Sequence, residues 1–126
     1  MSDLQLVYPV HILKDVFYLL ETGLMRKARA EGFCSESDYV AIKHLVWGCI
    51  ENMRENAVAV GADESDAWLA CKYRRLSEDL EDNFVLVAAE RANADFIVTN
   101  DEQLIRKATV AAYSPEDAVR YLEAIQ

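Results

Sequence analysis

Two spacings of hydrophobic residues alternate along the chain. Val10, Leu13, Phe17, Leu20 and Leu24 recur every three or four residues, the period of a helix with one apolar face. Val40, Ile42, Leu45, Val46, Cys49 and Met53 predict a second helix, which Ser35 or Ser37 caps. Between such stretches stand short, dense apolar runs: 4–8 (LQLVY), 57–60 (AVAV), 94–100 (ADFIVTN) and 109–113 (TVAAY). Their length and β-branched content predict strands, the third buried on both faces. Asp63 begins a helix reaching about Arg75, and Ser77 or Asp79 begins one reaching Asn93. Asp101 begins a short helix to Lys107, and Ser114 with Pro115 begins the last. Gly32 is a natural stop for the first helical stretch.

The predicted order is β-α-α-β-α-α-β-α-β-α. Strands alternating with helices predict an α/β fold, a three-layer α-β-α arrangement around a mostly parallel sheet. With 126 residues and no linker, repeat or low-complexity segment, one domain spanning 1–126 is expected.

Composition narrows the function. The net charge is −9, which opposes a general polyanion-binding surface. No apolar run is long enough to cross a membrane, and the N-terminal MSDLQLVYPV lacks the basic-then-apolar pattern of a secretory signal. Cys34, Cys49 and Cys71 include no CxxC pair, so buried, reduced thiols and a cytoplasmic location are expected. Local cation clusters remain at Arg26, Lys27 and Arg29, and at Lys72, Arg74 and Arg75.

Candidate chemistry lies in the acids. Glu78, Asp79, Glu81 and Asp82 crowd the start of a helix that continues as FVLVAA, and Asp101 follows the end of FIVT. Asp79 and Asp82, three apart, share a helix face. Ligands of open parallel sheets gather at the carboxyl ends of strands, where Asp101 is expected and toward which Asp15 points. Carboxylates converging there repel one another unless a cation intervenes, and hard oxygen donors suit Mg²⁺ or Mn²⁺. The competing explanation for Asp79, Asp82 and Asp101 is helix capping, which needs no ligand. For Asp15, inside a helix, the competing explanation is solvent exposure.

The stretch DLEDNFVLVAAERANADFIVTNDEQL resembles the carboxyl-terminal motif pair of PIN-domain proteins, the metal-dependent ribonuclease family that includes VapC-type toxins. LQLVYPVHILKDVFYLL is similar to that family's second strand and the helix after it. The resemblance implies that Asp15, Asp82 and Asp101 hold the metal, with Asp79 auxiliary and Thr99 or Asn100 bonded to a ligand or metal-bound water. It implies a Mg²⁺- or Mn²⁺-dependent RNA endonuclease with water as nucleophile, with Lys14 as a weak phosphate contact. An antitoxin or other protein partner and a homodimer are further implications. The family's opening strand, whose Asp is a principal ligand, has no counterpart in MSDLQLVYPV. One acid is therefore missing, which favours a second reading: a degenerate module that binds RNA or a protein without cutting. The missing strand would be central, so LQLVY is expected to pair directly with DFIVT, or a second chain to fill the gap. A receiver-like signalling domain fits worse, because it needs an acid pair after the first strand and a late-strand Lys.

Overall fold

A computed structural model describes residues 4–126. The order of elements agrees with the apolar pattern: β1 (Val7–Pro9), α1 (Ile12–Ala30), α2 (Glu36–Asn56), β2 (Val58–Val60), α3 (Glu64–Lys72), a 3₁₀ turn (Tyr73–Arg75), α4 (Leu80–Arg91), β3 (Ile97–Val98), α5 (Glu102–Lys107), β4 (Ala112–Tyr113) and α6 (Pro115–Ala124). Two compact units make up the chain, Gln5–Ala59 and Val60–Gln126.

Helix starts fall where the capping residues predict. Ser35 and Asp38 form a reciprocal capping box at α2, as do Asp63 and Asp66 at α3. Asp79, Asp101 and Ser114 cap α4, α5 and α6 through their side-chain oxygens. Two helix ends need left-handed backbone. Gly32, at φ 86°, lets the Phe33 N–H return to the Ala28 carbonyl at 2.8 Å and closes α1. Asn93, at φ 54°, lets the Ala94 N–H reach the Ala89 carbonyl at 2.9 Å and closes α4.

The expected three-layer α-β-α architecture with a mostly parallel sheet is not formed. The chain is mostly helical, and its described strands make only two two-stranded sheets, β1 with β2 and β3 with β4. LQLVY does not turn to DFIVT. The Val58 N–H donates to the Leu6 carbonyl at 2.9 Å, while Ile97 and Val98 pair in parallel with Ala112 and Tyr113. Each strand thus has one neighbour, and a ladder persists only where a partner's carbonyls and amides face it. The apolar runs therefore shrink to strands of two or three residues. Exposure follows: Leu6, Val7 and Val58 face solvent, and so does Val98, although its run was expected to be buried on both faces.

In the Gln5–Ala59 unit α1 packs along α2. Val46 and Ile50 are buried, Phe17 meets Trp47 edge-on at 5.1 Å, and Lys43 pairs with Glu21 beside the Phe17 ring. No described α1 residue is fully buried. In the Val60–Gln126 unit Leu86, Ala89, Ile97 and Leu104 form the core, flanked by Tyr73, Val85, Ala94 and Val110. The thiols depart from expectation, since Cys34 and Cys71 are exposed and only Cys49 is half-buried.

Two polar clamps hold α3 against α4. At one end the buried Asn83 donates from Nδ2 to the carbonyls of Ala70 at 3.2 Å and Ser77 at 2.9 Å. At the other end Asp66 is 4% exposed, and its Oδ2 accepts from Arg91 Nη1 at 2.5 Å and from the Asp63 N–H at 3.0 Å. Arg91 also reaches the Gly61 carbonyl and Asp63.

Two stability predictions follow from these geometries. Arg91→Ala strands a buried carboxylate and should cost about 3 kcal/mol in urea unfolding. Asn93→Ala, forced into the left-handed region, should cost about 1 kcal/mol, whereas Asn93→Gly should cost none.

Candidate functional site

The acidic edge of the Val60–Gln126 unit is built by two caps and one uncommitted acid. Ser77 Oγ accepts from the Asp79 N–H at 3.1 Å and shapes the approach to α4. Asp79 Oδ1 then accepts from the Asp82 N–H at 3.2 Å. β3 ends at Val98, and Thr99 follows it. The Thr99 N–H donates to the Tyr113 carbonyl at 3.0 Å, and its Oγ1 accepts from the Asp101 N–H at 3.1 Å. Asp101 Oδ1 accepts from the N–H groups of Gln103 at 2.9 Å and Leu104 at 3.3 Å. Asp79 and Asp101 are therefore both helix caps, as the simpler explanation of each requires. Each bond uses one carboxylate oxygen.

Asp82 differs. It is half-buried in the first turn of α4, and only its backbone N–H takes part in the cap. Partial burial pushes its carboxyl above the ordinary range, and the negative charges of Asp79 and then Asp101 push it further. Lys107, at the end of α5, pulls in the opposite direction. Asp79 and Asp101 are thus both near enough for their charges to act on Asp82.

The remaining sequence candidates have other placements. Asp15 lies in the first turn of α1, half-buried, with Lys14 exposed beside it, both in the Gln5–Ala59 unit. Thr99, expected to bond a ligand, instead directs its hydroxyl to the backbone of Asp101. Asn100 is exposed. Asn83, Lys107 and the Asp66–Arg91 pair escaped the sequence reading. Asn83 was detectable as the one amide inside the apolar face of α4. Lys107 had no signal, because only the return of α5 brings it toward Asp82.

The donor chemistry of this edge fits a hard divalent cation. Asp82 carries an under-compensated charge, and Asp79 and Asp101 each keep an oxygen outside their caps. Mg²⁺ commonly takes one or two carboxylates and fills its shell with water. Among the described residues no group of three His, Cys, Asp or Glu side chains could by itself hold a metal ion.

Comparison with protein-family models, curated proteins and solved structures finds no match to this chain. No helix of the described residues is long and apolar enough to cross a membrane.

The charge coupling gives a titration prediction. In a carboxyl-carbon NMR titration Asp82 should ionise above the ordinary carboxylate range, and Asp101→Asn should lower its pKa. A raised carboxyl pKa means that the anion is disfavoured in the folded state. Its unfavourable contribution is therefore absent below the unfolded pKa and complete above the folded one.

Proposed function

We propose that this chain is a divalent-cation-dependent ribonuclease of the kind its motif pair resembles, with the reacting edge formed by Asp82, Asp101 and Asp79. The observation that carries the reading is the mutual repulsion at Asp82. An acid held half-buried against two other carboxylates stores a charge imbalance that a cation relieves, and perturbed acids of this kind concentrate at functional sites. A bound Mg²⁺ or Mn²⁺ would supply positive charge to a phosphodiester and a more acidic water for attack.

The chain's own residues have separable tasks. Asp82 and the free oxygens of Asp79 and Asp101 attract and position the cation. Thr99 fixes the backbone that carries Asp101. Lys107, already within electrostatic reach of Asp82, is placed to offset charge on a phosphate.

The second reading is binding without cleavage, and one observation favours it. The Gln5–Ala59 unit presents a groove of about 560 Å³ lined by Val16, Leu20, Leu45, Cys49 and Met53 among others. Tyr18, Leu19 and Trp47 of the same hairpin are also exposed. Apolar surface of this kind marks contact with a protein, such as an antitoxin or a second copy.

The two readings separate in one experiment. Mn²⁺ should bind the chain in calorimetry, and RNA should be cut in its presence. Asp82→Asn should reduce both by about tenfold or more, at least the loss that follows when a group supporting a metal ligand is altered. Unchanged Mn²⁺ binding in Asp82→Asn, or intact RNA in both proteins, would leave only the binding module standing.

A further inference from the structure

The Val60–Gln126 unit carries fourteen carboxylates and only seven Lys and Arg residues. Three of those seven stand together at Lys72, Arg74 and Arg75, where α3 runs into the 3₁₀ turn. Arg74 is paired with Glu78 at 3.1 Å. Among the described residues Lys72 and Arg75 enter no ion pair, and both are exposed. Lys72 instead places Nζ 4.0 Å from the centroid of the Trp68 ring, one helical turn earlier. Trp68 itself is 56% exposed.

An exposed indole against Lys72, with a second cation free of ion pairs at Arg75 in the turn that follows, is an unusual surface arrangement for a structural residue. It offers the kinds of group that a nucleic-acid strand requires: a flat ring for a base and cations for phosphates. The position also matters. The buried Asn83 amide binds the carbonyls of Ala70 and Ser77, tying the end of α3 to the residues that lead into α4. Only the short segment from Leu76 to Asp79 separates the cations from the acidic edge.

We propose that Trp68, Lys72 and Arg75 form a landing site for single-stranded RNA, with a base stacked on Trp68 and phosphates held by Lys72 and Arg75. The inference rests on the ribonuclease reading for its choice of RNA and extends it to where the strand lies. The surrounding acids repel every other stretch of the polyanion, so the contact is short and salt-sensitive. Stacking tolerates any base, and a duplex, whose bases are already stacked, is a poor occupant.

The test uses the full chain and a fluorescently labelled, unstructured RNA of about 12 nucleotides, in EDTA and low salt, read by anisotropy. Trp68→Ala should weaken binding by about fivefold or more, and Trp68→Phe should restore most of it. Lys72→Gln with Arg75→Gln should weaken it similarly and flatten its salt dependence. Circular dichroism confirms that these surface variants fold. Undiminished binding by Trp68→Ala, binding that the double Gln variant does not alter, or equal affinity for the duplex would overturn the proposal. So would absence of binding by the unaltered chain. The outcome is independent of cleavage: strand binding that depends on Trp68 without Mn²⁺-dependent cutting sinks the ribonuclease reading alone. Cutting with no dependence on these three residues sinks the landing site alone.

Discussion

The placement of α3 against α4 depends on one buried amide. Asn83 sits inside a helix whose other buried residues are apolar, and it donates to two backbone carbonyls outside its own helix. One of them belongs to the end of α3 and the other to the turn before α4. A side chain that cannot be moved without stranding buried carbonyls fixes this joint more firmly than apolar contact alone. The Asp66–Arg91 contact holds the opposite end of the same helix pair. Between them the two clamps set where Asp79 and Asp82 begin α4, and hence where the acidic edge lies.

That edge illustrates how one residue serves two purposes. Asp79 and Asp101 satisfy orphan N–H groups at helix starts, and their charges also act on Asp82. Capping leaves one oxygen of each carboxylate uncommitted. A carboxylate that caps with one oxygen is oriented by the cap, and its second oxygen is aimed as a consequence. The charge distribution adds to this picture. The Gln5–Ala59 unit, with seven acids and six bases, is nearly neutral, so the acidity of the chain is concentrated in the unit that bears the site.

Much of the local structure was legible in the sequence, because caps and turns are governed by neighbours a few residues away. Ser35, Asp63, Asp79, Asp101 and Ser114 each start a helix, and Gly32 ends one, for reasons visible within a single turn. The sheet was not legible. A run such as FIV states that it needs a partner and says nothing about how many it finds. With β4 as the sole neighbour of β3, the expected layer was replaced by a pair of short ladders. The caps at Asp79 and Asp101 followed from their places at the start of a helix and just past the end of a strand. Lys107 and the Trp68–Lys72 contact did not, since both depend on side-chain directions that periodicity leaves open.

Because β3 is two residues long and paired on one side, the peptide that carries Thr99 and Asp101 is anchored by very few bonds. Short two-stranded ribbons are only marginally stable on their own. Any extended segment laid along the vacant margin of β3 would damp the wandering of Asp101. Thermodynamic reciprocity then requires that an ion gripping Asp101 tighten the hold on that added segment by the same factor.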